Sequence, residues 1–354
     1  MNSTEQKLTG LLDIVIAEGG SDLHLTARRR PIIRVDGALI PLLQQPELTD
    51  EDMDGIIKSM LPPERMKILE QNQSVDFAYS HGDKGRFRVN GYVVQGVVAI
   101  AMRLIPHAIR TIAQLNLPPI LDIFTHRSQG FFIVVGPVGQ GKTTTLAAIV
   151  DSINHARSEH IITIENPIEY LFEKGKSLIH QREVHSDTPD FHIALQAAFR
   201  EDVNVIMLGE MRNKETISSA VTAAETGHLV LSTLHTNNAA QTIDRIIDIF
   251  PAEQQDQVRV QLAGSLSGIF SQRLIPRISG GLIPAYELLL NNSAVANLIR
   301  EGRTNEISTV IQTSLKDGMI DMDRTLADLV RRGEVTIEHA YEHSFDTKTF
   351  ERYL

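Results

Sequence analysis

The spacing of hydrophobic positions changes along this chain, and each change marks a different kind of structure. Leu8, Leu11, Leu12, Val15 and Ile16 recur at helical spacing within residues 4–18, and Gly19-Gly20 ends that stripe. Alternation takes over from Ser21 to Thr26 and again from Pro31 to Val35, before a turn at Asp36-Gly37. Two short helices are expected next, Asp50 to Met60 and Pro63 to Gln71, each opening with Asp or Pro near its start. Three strands follow, Val75 to Tyr79, Arg86 to Val94 and Val97 to Leu104, the last two closing a hairpin at Gln95-Gly96. The pattern is that of a small α+β domain over residues 1–105, and it contains no nucleotide motif.

Residues 106–117 are weakly patterned, with Pro106 at their start and Pro118-Pro119 just beyond, and read as a linker. From 118 to 354 continuous apolar runs alternate with helical stripes, which predicts a mostly parallel sheet with crossover helices. Past about Pro276 the pattern turns helical, apart from one strand at Ile283–Leu289. The expected helices there are Ala294–Glu301, Asn305–Ser314, Asp323–Arg332 and Ile337–His343, a helical subregion over about 290–354. The expected fold class is α/β.

One junction of strand and helix carries chemistry. The β-branched run Phe131–Val135 is followed by Gly136, Pro137, Val138, Gly139, Gln140, Gly141, Lys142 and Thr143, with Thr144 next, and then a helix with apolar Leu146, Ile149, Val150 and Ile153. Strand, G-x-x-x-x-G-K-[ST] loop and helix make the context in which the motif is a phosphate-binding loop. A polyphosphate needs several backbone N–H groups converging on it, so the chain must curl tightly, which the glycines permit. The positive end of the helix faces the anion. Lys142 brings a mobile charge to the β- and γ-phosphates, and the Thr143 hydroxyl can ligate Mg²⁺. The reading is a nucleoside triphosphate site, with ATP and Mg²⁺ as the expected cofactors.

Composition narrows the setting. At 354 residues the chain suggests about two domains, and a charged fraction of 22% is ordinary for a globular protein. Cysteine is absent, which excludes disulfides and thiolate zinc sites. Met1 to Lys7 is polar and lacks the basic and apolar regions of a secretory leader, and no apolar run approaches a membrane span. A net charge of −10 argues against a nucleic-acid-coating chain, so no nucleic-acid partner is expected.

Three later stretches suit a P-loop ATPase. His160–Ile164 is a short strand running into Glu165-Asn166-Pro167-Ile168-Glu169, so Glu165 or Glu169 could polarise an attacking water. Val205–Leu208 is a buried strand capped by Gly209-Glu210, the logic of an acid that holds Mg²⁺ or orients the nucleophile. Thr226 to Thr236 places His228 and His235 at either end of another buried strand, without the spacing of a metal site. Either histidine could be structural, or could report the γ-phosphate to a neighbouring element.

These stretches resemble the motifs of the secretion ATPase superfamily. Glu165–Glu169 looks like its Asp box, Gly209-Glu210-Met211-Arg212 like its Walker B motif, and Gly227-His228 through His235-Thr236 like its His box. Within the superfamily the chain is most similar to the type IV pilus retraction (twitching-motility) ATPases. Further support comes from Ser21–Leu25, Arg86–Asn90, Gln181–His185, Ala223–His228 and Ile246–Pro251. The resemblance implies a hexameric ring of chains, each with a PAS-like N-terminal domain and a RecA-like ATPase domain, with ATP between the two. It implies Lys142 and Thr143 on phosphate and Mg²⁺, Glu169 as general base, Glu210 as the Walker B acid and metal partner, and His228 and His235 as the His-box pair. Arginines of the N-terminal domain complete such sites, and Arg88 and Arg103 are the candidates because a guanidinium fork suits a triphosphate. The partners implied are an inner-membrane pilus platform protein and a paralogous pilus ATPase. The place implied is the cytoplasm, peripheral to the inner face of the membrane.

The chain departs from the pattern at several positions. Asn166 stands where the Asp box usually has Asp, Val138 and Gln140 where the P-loop usually has Thr and Ser, and Ala296 where the C-terminal Ala-Ile-Arg-Asn-Leu-Ile-Arg-Glu motif has Arg. Pilus retraction is the leading expectation. A pilus or type II secretion assembly ATPase is an alternative, disfavoured by the absence of the four-cysteine insert those relatives usually carry. A nucleotide-gated accessory subunit with little hydrolysis is another, motivated by Asn166 and Ala296. A DNA-translocating ATPase is disfavoured by the acidic balance.

Overall fold

Alternating side chains give the N-terminal sheet two unlike faces. In the computed structural model, which describes residues 3–35, 37–105 and 108–354, the first helix α1 (Ser3–Ala17) is followed by β1 (Asp22–Leu25), β2 (Ile32–Val35) and β3 (Ala38–Pro41). Then come α2 (Asp50–Met60), α3 (Pro63–Asn72), β4 (Ser74–His81), β5 (Gly85–Val94) and β6 (Val97–Ile105). Asp36 of the expected turn and Pro106 of the expected linker lie outside the described residues. The strands form one sheet in the order β3-β2-β1-β6-β5-β4, antiparallel throughout. Leu23, Leu25, Phe77, Phe87, Val89 and Met102 point to one face, where they bury against Leu8, Leu11, Leu12 and Val15 of α1 and Met53, Ile56 and Ile57 of α2. Each such side chain contributes roughly 1.5–3 kcal/mol when fully removed from water. A capping box starts α2, with Thr49 and Asp52 each accepting from the other's backbone N–H. Strand β3 escapes the sequence reading because all four of its residues are exposed, so nothing alternates; it is defined only by pairing Val35 with Ala38 and Ile32 with Pro41.

The centre of the second sheet is built from buried parallel strands, of which β7 (Gly130–Val135) and β10 (Val205–Leu208) read as unbroken apolar runs for that reason. Its elements open with α4 (Ile123–His126), β7 (Gly130–Val135), α5 (Lys142–Ala156), β8 (His160–Glu165), β9 (Leu178–Glu183), α6 (Phe191–Ala198) and β10 (Val205–Leu208). They continue with α7 (Lys214–Glu225), β11 (Leu229–Leu234), α8 (Ala239–Asp248), α9 (Ala252–Ser265), β12 (Leu266–Pro276) and β13 (Leu282–Leu290). The order is β13-β12-β7-β11-β10-β8-β9, with β12, β7, β11, β10 and β8 parallel and β13 antiparallel to β12. The helices α10 (Ser293–Glu301), α11 (Ile307–Thr313), α12 (Met322–Arg331), α13 (Ile337–His343) and α14 (Thr347–Tyr353) complete the chain. Met322, Leu326 and Leu329 of α12 with Phe350 of α14 pack on Ile275 of β12 and Ile283 and Ala285 of β13. Helix α14, absent from the sequence reading, is a single apolar anchor, Phe350, on an otherwise polar segment.

The architecture is the expected α/β one: a small α+β region, then a parallel-sheet region ending in helices. The chain divides into two units, Met1–Ala108 with Asn166–Leu171 and Glu183–Asp187, and Ile109–Glu165 with Phe172–Arg182 and Thr188–Leu354. The two short segments that join the first unit were not distinguished in the sequence. Among the described residues no helix is long and apolar enough to cross a membrane.

Candidate active site

Parallel strands deliver their C-terminal ends to one edge of a sheet, and β7, β8, β10 and β11 bring Gly136, Glu165, Glu210 and His235 to that edge in the second unit. The loop after β7 needs glycine for two separate reasons. At Gly136 an added Cβ would lie 2.5 Å from the Gln272 carbonyl oxygen, so the backbone of β12 leaves no room. Gly141 has φ +76° and caps α5, so the chain enters the helix through the left-handed region. The N-terminus of α5, beginning at Lys142, is the positive end of that helix.

The loop is clasped to β12 by two glutamines. The Gln140 side-chain oxygen accepts from Leu274 N at 2.6 Å, its carbonyl accepts from Gln272 Nε2 at 2.7 Å, and Thr145 Oγ1 donates to Gln272 Oε1 at 2.7 Å. Gln140, a departure from the family pattern, thus ties the loop to β12. Val138 stands at the exposed tip of the loop, and Pro137 presents its carbonyl inward.

Lys142 is 7% exposed, and its Nζ donates to the carbonyls of Gly136 and Pro137 at 2.8 Å each. Burial, reinforced by the charge of Arg273 and opposed by Glu210, brings its pKa down to about 8. Its Nζ also lies 3.3 Å from His235 Nδ1. An ammonium can only donate, so Nδ1 is the acceptor and the ring proton sits on Nε2, facing the Glu210 carboxylate at 3.9 Å. Burial first, then Lys142, holds the His235 pKa below its usual value. Glu210 also pairs with Arg212 at 2.7 Å. Hydroxyls align the strand ends: Ser232 Oγ donates to the Leu208 carbonyl at 3.0 Å and Thr233 Oγ1 to the Gly209 carbonyl at 2.6 Å.

Glu165 ends β8 buried, accepting from Thr163 Oγ1 at 2.7 Å and Gln181 Nε2 at 3.3 Å. Its backbone packs on Gly209, whose added Cβ would meet Glu165 Cα at 3.5 Å. Glu169 belongs to the first unit, where it accepts from Arg88 at 3.0 Å. Arg103 donates to Asp22 at 2.9 Å. Arg88 and Arg103 are direct cross-strand partners on β5 and β6, and like charges so placed repel; Glu169 and Asp22 offset that. The segment carrying Glu169 is pinned by buried Glu183, which accepts from Ile168 N at 3.0 Å and from Arg65 at 2.5 Å.

His228 and His235 stand at opposite ends of β11, as their spacing in the sequence requires. His228 precedes β11, where its carbonyl accepts from Gly130 N and its ring lies 3.0 Å from the Ala223 carbonyl and edge-on to Phe199. Gly130 starts the strand that Gly136 follows, so His228 is roughly 20 Å from the loop, one strand length. Sequence reading missed Gln272 and Arg273. Their signal was a consecutive polar pair inside the apolar run of β12, where burial demands partners.

Lysine, imidazole, carboxylate and a helix N-terminus on one edge can bind a polyanion and place a proton acceptor beside it. Comparison with known proteins agrees with this chemistry. A family model described as type II/IV secretion system protein matches residues 2–282. The type IV pilus retraction ATPase PilT of Pseudomonas aeruginosa is 41% identical over 335 residues, 95% of this chain and 97% of that protein. A twitching motility protein of Neisseria gonorrhoeae is 43% identical over 311 residues, 88% of this chain and 83% of that one. The crystal structure of a pilus retraction motor, PilT, with bound ADP superposes with a TM-score of 0.90 at 46% identity, covering 98% of this chain and 99% of that one.

Proposed function

Because the chain belongs to the family of type II/IV secretion system proteins, we propose that it is an ATP-hydrolysing motor that powers retraction of a type IV pilus. The observation that carries the reading is the convergence of Lys142, His235 and Glu210 on one sheet edge. It occurs in a chain similar over almost its whole length to a pilus retraction ATPase. In this reading the P-loop from Gly136 to Thr144 binds the phosphates of ATP, Glu210 and Thr143 attend Mg²⁺, and Glu169 is the general base, with Glu165 beside the Walker B strand. Among the described residues no group of three His, Asp or Glu could cage a metal alone. The Glu210 carboxylate and Thr143 hydroxyl are hard oxygen donors of the kind that suit Mg²⁺, which keeps several waters and binds through one or two protein oxygens and the substrate phosphates.

The reading extends to assembly. Six chains form a ring, the first unit is the PAS-like domain and the second the ATPase domain, and Arg88 and Arg103 serve the nucleotide of a neighbouring copy. The motor acts in the cytoplasm at the inner face of the membrane, on an integral platform protein, alongside a paralogous pilus ATPase. Asn166 favours a second reading, an accessory subunit that binds ATP but hydrolyses little. Steady-state turnover by the purified chain, with its mass recorded in the same sample, separates them. Hexamers whose turnover disappears in Glu169→Gln support the motor, and hexamers that turn over no faster than Lys142→Ala support the accessory subunit.

A further inference from the structure

Arg273 sits where three parts of the second unit meet, and none of the roles assigned above uses it. It is 8% exposed on β12. One guanidinium nitrogen donates to the Gln272 carbonyl at 3.2 Å and lies 3.3 Å from the position a Cβ on Gly136 would take. The other donates to Asn237 Oδ1 at 2.9 Å and lies 3.5 Å from its carbonyl. Asn237 is two residues past His235, in the loop between β11 and α8. Ser271 Oγ grips the same carbonyl at 2.6 Å, and the Ala239 N–H donates to buried Glu287 at 2.8 Å. The loop carrying His235 is thus tied to β12 and β13 at consecutive points, with Arg273 the only one of them that also borders the P-loop.

The outer side of the guanidinium is covered by the C-terminal helices. Phe345 places its ring 5.6 Å from the Arg273 carbon, within cation–π range. The corner between α13 and α14 that holds this ring is itself fixed by one carboxylate on α12: Asp323 accepts from Ser344 Oγ at 2.7 Å, Phe345 N at 2.9 Å and Asp346 N at 3.0 Å.

We propose that Arg273 is a positioning residue that keeps His235 on Lys142 through Asn237, and that the C-terminal corner Ser344–Asp346 sets its position through the Phe345 ring. The C-terminal helices then control how well the nucleotide edge is assembled without touching it. The inference rests on the ATPase reading for its kinetic consequence, though not for its structural one. The physical basis is the steep dependence of a positioned group on small displacements: a misplacement of about 1 Å costs about a hundredfold in rate.

The test uses Phe345→Ala, Phe345→Tyr, Arg273→Lys and the double variant Arg273→Lys/Phe345→Ala in the full-length chain. Phe345 is 38% exposed, so its loss leaves the fold standing, as a thermal melt would check. Phe345→Ala is expected to lower kcat about threefold to tenfold with KM for ATP unchanged, and Phe345→Tyr, which keeps the ring, to restore it. Arg273→Lys keeps a charge beside Glu287 but loses the fork, and is expected to cost more than tenfold. The double variant is expected to be no slower than Arg273→Lys alone. In hydrogen exchange, peptides spanning residues 235–241 exchange faster in Phe345→Ala and in Arg273→Lys, while those from β7 and β11 do not. Wild-type kcat in Phe345→Ala, losses that multiply in the double variant, or unchanged exchange at 235–241 would overturn the proposal. The exchange measurement needs no turnover, so an inactive wild-type chain would refute the ATPase reading and leave this one to be decided on its own.

Discussion

The pKa of Lys142 in the free state is about 8, because burial disfavours the charged form and Arg273 adds like charge. The negative charge of a triphosphate bound at Nζ outweighs both effects and restores the ammonium well above that value. Binding therefore takes up a proton, about half of one at pH 8 and about nine-tenths at pH 9, from the fraction of loops deprotonated beforehand. The apparent dissociation constant for a non-hydrolysable ATP analogue is expected to rise about tenfold between pH 7 and pH 9, with most of the rise above pH 8. The stability sign is the opposite one. The folded-state pKa of this lysine is depressed, so the unfolded chain binds more protons between about 8 and 10.5, and the penalty of burying the charge declines as pH rises through that window. Equilibrium binding by fluorescence at three pH values tests the first statement. Calorimetry at pH 8 in two buffers of different ionisation enthalpy tests the proton uptake. An affinity flat from pH 7 to 9, or an equal fall in Lys142→Arg, whose guanidinium stays charged, would refute the reasoning.

Three further predictions follow from other contacts. Gly136→Ala would drive a methyl to 2.5 Å from the Gln272 carbonyl at φ +150°, so the loop must shift; nucleotide affinity should fall at least tenfold in a titration, with the melting temperature lowered by only a few degrees. Arg65→Met strands buried Glu183, leaving Arg86 at 3.9 Å as its remaining cation, and should destabilise by about 3 kcal/mol in urea unfolding; Arg65→Met/Glu183→Gln should recover most of that loss. Arg88→Ala chains mixed with Lys142→Ala chains should regain partial ATPase activity if Arg88 serves a neighbouring copy, and no rescue at any mixing ratio would remove Arg88 from the site.

Local pattern was enough for most elements and for half of the site. The period of α1, the alternation of β5 and β6 and the unbroken apolar runs of β7 and β10 each follow from which faces are buried, and burial is written in residue type. The P-loop was legible because its glycines, lysine and threonine are contiguous, and a single turn of backbone decides their geometry. Glu210 and His235 were legible as strand-end residues for a related reason: a buried parallel strand must deliver its last side chain to the edge where the loops are. Strand β3 was not legible, since an exposed edge strand exists only through its partner.

Tertiary structure decided the remainder. It set the His228 ring against the Ala223 carbonyl and the Phe199 ring, away from the edge that holds Lys142. It gave Gln140 a partner in Leu274, 134 positions away, turning an apparent departure into a clasp. It joined Arg88 to Glu169 across 81 positions and Arg273 to Asn237 and Phe345, none of which share a motif. Such pairings depend on strand order and register, which are global properties of the packed sheet. A chain states its own periodicity in every window of ten residues, but the order in which its strands lie side by side exists only once they have packed.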